Sequence, residues 1–356
     1  MDIAQRRLHS LRLNSSPLAT PLEVVAWLAA VQSQDFAGAL WALGLRMTKA
    51  VEDDVLQAFN AGEIVRTHVL RPTWHFVAPV DLRWLLMLTA PRVHGINNTM
   101  YRQGGLDAKT LSRCQTVIAK ALKGGQHLTR EALGEAIERA GIPDASKNRL
   151  TYMVMAAELD GLICSGPRVG KQFTYALLDE RVPPVKAISR EGALTELARR
   201  YFASRGPASL HDFARWSGLT VKESQAGLES IRVNLESEVV EGQTLWFVPR
   251  QAPAGEPPRA FLLSVYDEYV AGYKDRSAIC APEYWKIIED YGSALHFIVV
   301  VDGQVIGTWR RDFKKNVAFL ELKVFKRLSG ADRRAVLEAA ERYGAFIGLS
   351  IDIAWT

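Results

Sequence analysis

Ala30-Val31-Gln32-Ser33-Gln34-Asp35-Phe36-Ala37-Gly38-Ala39-Leu40 sets a polar Gln-Ser-Gln-Asp run between two apolar stretches. Whether a helix runs through this stretch or stops at it decides the fold of the N-terminal region. A helix clearly enters it. Thr20 is an N-cap residue, Pro21 suits the first turn, and Glu23 completes a capping box. Leu22, Val25, Leu28 and Val31 then recur at helical spacing, which predicts one buried face. In a continuous helix Gln32 and Gln34 would point about 200° apart. They can serve one target only if the helix breaks or tightens there. Two uncharged amides at a helix end can hold a water molecule. Read from the residues alone, the run is a solvated helix terminus.

Outward from this stretch, two segments share a pattern of three helices followed by a two-stranded wing. In the first, Leu111 to Leu122 reads as helix. Thr129 caps a second helix that Gly141 and Pro143 stop, and Asn148 to Gly161 is the third. Ile163 to Leu178 is the wing, with Arg168 and Lys171 at its tip. In the second, Leu194 to Ala203, Leu210 to Ser217 (capped by Ser209) and Val221 to Ile231 are the helices, and Val233 to Val248 turns at Glu241-Gly242-Gln243. Pro21 to Val77 is a more irregular first unit with a hairpin over Val65 to Val77. The prolines and glycine of 251–259 make a linker. Beyond it, Asp302-Gly303 between alternating runs signals a tight hairpin. Val317 to Phe325 reads as strand, Leu337 to Phe346 as helix and Leu349 to Ala354 as a last strand. The expected organisation is α+β: three tandem winged helix-turn-helix units at 1–105, 106–185 and 186–250, a linker at 251–259, and a small α+β domain at 260–356.

The 356-residue chain is 48% hydrophobic and 23% charged, the composition of an ordinary globular protein. No apolar run approaches the length of a membrane span, and no membrane partner is expected. Cys114, Cys164 and Cys280 are odd in number and far apart, so neither a disulfide framework nor a zinc site follows. A cytoplasmic, nucleoid-associated protein is expected. The net charge of +5 is unevenly spread. Between Arg66 and Arg113, seven basic residues face two acids, and Arg310 to Arg327 repeats that ratio. Clustered cations are the footprint of nucleic-acid binding.

Three stretches carry a family likeness. They are Gln32-Ser33-Gln34 with the hairpin Arg66-Thr67-His68-Val69-Leu70-Arg71-Pro72-Thr73-Trp74-His75-Phe76-Val77; Tyr266-Asp267-Glu268-Tyr269 through Gly272-Tyr273-Lys274-Asp275-Arg276; and Val301-Asp302-Gly303-Gln304-Val305-Ile306-Gly307-Thr308-Trp309-Arg310. In order, and across nearly the whole chain, these resemble the AlkZ-like family of bacterial winged-helix DNA glycosylases, whose founding activity is self-resistance to the DNA crosslinker azinomycin. The resemblance implies three tandem winged helices. It also assigns catalysis to a Gln-x-Gln pair, matched here by Gln32 and Gln34.

That assignment is chemically sensible for one substrate class. A glycosylase breaks the N-glycosidic bond of a base exposed to its pocket. Most bases must be protonated as they leave, which calls for carboxylates. An N7-alkylguanine is already cationic, so its departure needs no general acid. Neutral glutamine oxygens can then position water and stabilise an oxocarbenium-like sugar. The expected function is monofunctional excision of cationic N7-alkylguanine lesions, interstrand crosslinks included, from double-stranded DNA by a monomer without cofactor. Related proteins carry Gln-x-Asp, but Asp35 lies one position beyond that site and reads as a cap or salt-bridge partner with at most an accessory role. In the hairpin, alternation puts Thr73 and His75 on one face and Trp74 with Phe76 on the other. If the aromatics are core, Thr73 and His75 face a cleft. With Arg66, His68 and Arg71, and with Arg168 and Lys171 from the wing tip, they are the expected DNA contacts. Asp267 and Glu268 suggest a carboxylate pair or metal site. No histidine stands at ligand spacing, and Lys274 and Arg276 are near enough to pair with them, so structural ion pairing is the better reading. No phosphate-binding loop, nucleophile elbow or metal cluster appears. The alternative is a non-enzymatic winged-helix regulator. Against it, the third helix of the middle segment is mostly apolar, with only Lys147 and Arg149 as cations.

Overall fold

The computed structural model describes residues 2–15, 17–142, 148–249, 258–290 and 297–356. Most of the expected linker at 251–259, and Pro143 and Lys147, lie outside them. Helices and sheets are mixed throughout, and the residues form two compact units. The first comprises 1–56, 195–216 and 221–356; the second comprises 57–194 and 217–220. These limits cut the segments expected at 1–105 and 186–250, and 260–356 shares its unit with the N-terminal helices.

In the first unit a five-stranded sheet has the order Ser350–Trp355, Val317–Val324, Gln304–Lys314, Ile298–Val301, Ala260–Leu263. Only the pairing of Ser350–Trp355 with Val317–Val324 is parallel. Asp302 and Gly303 carry the hairpin turn at φ 50° and 83°, the positive angles that a tight turn between twisted strands requires. Helix Gly330–Ile347 begins on Ser329, whose hydroxyl accepts the Asp332 N–H. Helix Phe36–Gly44 joins this layer through Trp41. Its indole N–H donates to the Leu262 carbonyl at 2.7 Å, and its ring lies 5.2 Å from Tyr343 and 5.1 Å from Phe346. The basic run 310–327 is not a uniformly cationic face. Arg310 stands opposite Glu321 in register, and Arg311 turns inward to donate to the Tyr343 hydroxyl at 2.7 Å.

In the second unit, helices Ala108–Leu122, Arg130–Arg139 and Arg149–Leu159 enclose Cys114, Ile118, Leu133, Ile137 and Met153. Thr129 caps the second helix through the Ala132 N–H. A three-stranded sheet has Thr174–Leu177 at its centre, between Leu128–Thr129 and Ile163–Ser165. Helix Pro79–Gln103 packs against Arg149–Leu159.

Candidate functional site

The helix entering the Gln-Ser-Gln run is Pro21–Leu28, and it stops. Thr20 Oγ1 accepts the Glu23 N–H at 3.1 Å, while the Glu23 carboxylate reaches back to the Ala19 N–H at 2.8 Å. Its buried side is Pro21, Val24, Val25 and Leu28; Leu22, expected on that face, is 37% exposed. Ala29 then takes φ 63°, ψ −42°, a left-handed region that a non-glycine residue enters only when its surroundings hold it there. Val31–Gln32 is extended, and a new helix starts at Phe36. The strand ends at Gln32, Ser33 has no regular structure and Gln34 lies in a bend, so the helical geometry that would set Gln32 and Gln34 about 200° apart does not apply here. Gln32 is 8% exposed, Ser33 is fully buried and Gln34 is exposed.

The hold on Ala29 comes from far along the chain. Arg205 donates to the Leu28 carbonyl at 3.0 Å and to the Ala30 carbonyl at 3.2 Å. It also pairs with Glu268 Oε2, through Nε at 3.1 Å and Nη2 at 2.6 Å. The Trp216 indole N–H donates to that same oxygen at 2.9 Å. Glu268 Oε1 receives the backbone N–H of Gln32 at 3.3 Å. Both charged side chains are buried. Glu268 opens a short helix, Glu268–Ala271, capped by Asp267, and Asp267 is bound by Arg46. The 267–268 carboxylates are therefore structural ion pairs, but their partners are Arg46 and Arg205 rather than Lys274 and Arg276. Arg276 instead donates to the Val270 carbonyl, and burial lowers its guanidinium to about 10. Asp35 occupies the N-cap position of Phe36–Gly44 without a side-chain cap bond, and its carboxylate lies 3.9 Å from Arg311.

The hairpin has strands Val65–His68 and Trp74–Val77, paired Val65↔Val77, Arg66↔Phe76, Thr67↔His75 and His68↔Trp74. Alternation is as expected, but both faces are covered. Arg66, Thr67, His68, His75 and Phe76 are all buried. His75 Nδ1 lies 2.9 Å from the Thr73 carbonyl, and His68 Nδ1 lies 2.5 Å from Glu158 Oε2. The Arg66 guanidinium stacks 4.3 Å from the Trp74 ring and 4.6 Å from that of Phe173, and burial lowers it to about 10 despite the opposing pull of Glu158. Arg66, His68 and His75 are thus interior residues rather than an open row of contacts. Arg168 joins Arg66 over Phe173, at 5.1 Å, and donates to the Lys171 carbonyl. Arg71 and Thr73 are half-buried, and Lys171 is exposed.

Sequence reasoning missed Arg205 and Trp216, which lie in helices that read as ordinary, and it gave Glu268 the wrong partner. No local signal in the sequence marks Arg205 as buried or names its target. Among the described residues no group of three or more His, Cys, Asp or Glu could hold a metal ion, and no helix is long and apolar enough to cross a membrane.

The sequence and the architecture are similar to those of known proteins. A family description, DNA glycosylase AlkZ-like, matches residues 25–346. An interstrand DNA cross-link repair glycosylase of Streptomyces sahachiroi is 23% identical over 303 residues, 81% of either chain. The solved structure of Streptomyces sahachiroi DNA glycosylase AlkZ is similar with a TM-score of 0.81 at 22% identity, over 99% of this chain and 98% of that one, which shows a shared fold. The chain belongs to the AlkZ-like family of DNA glycosylases.

Proposed function

We propose that this protein excises cationic N7-alkylguanine from double-stranded DNA, interstrand crosslinks included, as a monofunctional glycosylase with Gln32 and Gln34 as its catalytic residues. The observation that carries this reading is the Gln-Ser-Gln run at a helix break whose backbone is tied to a buried ion pair. Glu268 is buried and receives hydrogen bonds on both oxygens, while Asp35 pairs with Arg311, which favours amide chemistry over carboxylate chemistry. In the reaction the C1′–N9 bond breaks and neutral 7-alkylguanine departs with the bonding electrons. The glutamine oxygens stabilise the oxocarbenium-like sugar and orient water, whose oxygen bonds to C1′ as its proton passes to solvent. The relative from Streptomyces sahachiroi bears a name that refers to interstrand crosslinks, which supports including them.

Three tandem winged helices fit this reading. In the middle segment the strand Leu128–Thr129 precedes the second helix and pairs with the wing strand. In the third, Ala208 precedes helix Leu210–Ser217 and bridges Trp246 in the wing Glu236–Val240 and Gln243–Phe247 in the same way. Lys171 is exposed and Arg71, Thr73 and Arg168 are half-buried, so these four of the expected contacts keep surface for DNA. The regulator alternative is weakened because Met153 to Leu159 of the third helix are all buried, leaving little of that helix for reading base edges.

The test is incubation with a duplex carrying one N7-alkylguanine and with a duplex joined by one N7–N7 crosslink. Release of the alkylated base from both, leaving abasic sites and no borohydride-trapped protein–DNA adduct, supports the reading. Binding without release from either substrate contradicts it.

A further inference from the structure

We propose that Glu268 is a positioning residue for Gln32, with Arg205 and Trp216 as the groups that fix Glu268; the proposal rests on the catalytic reading of Gln32 above. Three backbone groups around the helix break are held by one buried pair: Leu28 O and Ala30 O by Arg205, and Gln32 N–H by Glu268 Oε1. The division of labour on the carboxylate is specific. Oε2 receives three N–H groups, from Arg205 Nε, Arg205 Nη2 and Trp216 Nε1, which fixes the plane of the carboxylate and leaves Oε1 facing Gln32. The Arg205 guanidinium lies 4.1 Å from the Trp216 ring, closing the other side of the pair. At Gly272 a Cβ would stand 2.5 Å from Glu268 O and 3.2 Å from Arg205 Cδ, so the chain approaches too closely here for any side chain. The Tyr273 hydroxyl donates to the Arg205 carbonyl at 2.8 Å, pinning the arginine's own backbone.

Glu268 is fully buried and cannot meet DNA. Its effect is through the Gln32 backbone. An amide that orients water contributes only if its place is set before the transition state forms, because reorganisation at the moment of reaction cancels the gain. The positive φ at Ala29 is the local sign of that constraint: the chain is held out of its preferred basin at the residue where the helix must end for Gln32 to emerge.

The experiment compares wild type with Trp216→Phe and Glu268→Gln. Readouts are amide hydrogen exchange of the peptide covering 28–34, melting temperature, DNA affinity, and the single-turnover rate of base release from an N7-alkylguanine duplex. Trp216→Phe removes the donor to Oε2 and keeps a smaller aromatic ring beside Arg205, and it leaves the buried ion pair itself in place, so it reports even if Glu268→Gln does not fold. The proposal expects exchange at 28–34 to accelerate and the release rate to fall by about tenfold in the glutamine variant and about threefold in the phenylalanine variant, with DNA affinity unchanged. A purely structural role would lower melting temperature and affinity together and leave the rate of bound complex alone, and that result overturns the proposal. Unchanged exchange at 28–34 overturns it whatever wild type does to DNA. A wild type that releases no base defeats the catalytic reading itself, a result read on the unsubstituted protein and so distinct from either.

Discussion

Both carboxylate oxygens of Asp267 receive an N–H from Arg46, each at 2.9 Å, with both side chains fully buried. Arg46 also donates to the Leu11 and Ala42 carbonyls, and Asp267 Oδ1 accepts the Tyr269 N–H. The pair thereby joins the N-terminal helices to the turn that carries Glu268. Removing one member leaves the other charged and desolvated, so Asp267→Ala is expected to cost about 3–5 kcal/mol in denaturant unfolding. The double variant Arg46→Met, Asp267→Leu is expected to be more stable than that single variant. Equal losses would mean that the pair is not the source of the effect.

In the second unit the same logic applies to Glu158. Its contact with His68 lies inside the hairpin unit, where neither group meets water. Glu158→Ala is expected to lower stability by about 1–3 kcal/mol through the hydrogen-bonding group left unsatisfied at His68. If His68 met DNA rather than the interior, the variant would weaken binding and leave the unfolding midpoint where it is.

Stability is expected to fall at alkaline pH. Burial raises the phenols of Tyr175, Tyr201, Tyr269 and Tyr273, and pushes the thiols of Cys164 and Cys280 up to about 12. The unfolded chain loses its thiol protons near pH 8.5 and its phenol protons near pH 10, while the folded chain keeps both, roughly as model side chains predict. The folded state then binds more protons, so stability falls as pH rises through about 8.5 and falls more steeply through about 10. The guanidinium unfolding midpoint should be nearly flat below about pH 7.5 and decline beyond, with a step in tyrosinate absorbance at unfolding as the buried phenols reach water. An alkaline unfolding transition with no step in tyrosinate absorbance would contradict the burial of these phenols.

Local signals in the sequence were legible where the physics is local. The Thr20 cap, the Thr129 cap, the Asp302-Gly303 turn and the alternation of the Val65–Val77 hairpin all depend on groups within a few residues of one another. Helix Gly330–Ile347 starts seven residues before the expected Leu337, because Ser329 with Asp332 is a cap that outweighs the weaker apolar pattern around it. Helices Pro79–Gln103 and Pro282–Asp290 and strand Ala260–Leu263 were not anticipated at all. The covering of both hairpin faces was illegible, since alternation shows which residues share a face but not what packs on it. The anchor of Gln32 was illegible for the same reason. Arg205 and Glu268 lie far along the chain from the helix they stop, and only the folded backbone brings them to it.

The most direct test of the account is single-turnover base release from a duplex with one N7-alkylguanine by wild type, Gln32→Ala and Gln34→Ala, with DNA affinity measured in parallel. The account predicts a fall of about tenfold or more in each variant, or about 1.4 kcal/mol of transition-state stabilisation, with affinity retained. Variants that release the base as fast as wild type would contradict it and move the chemistry away from the Gln-Ser-Gln run.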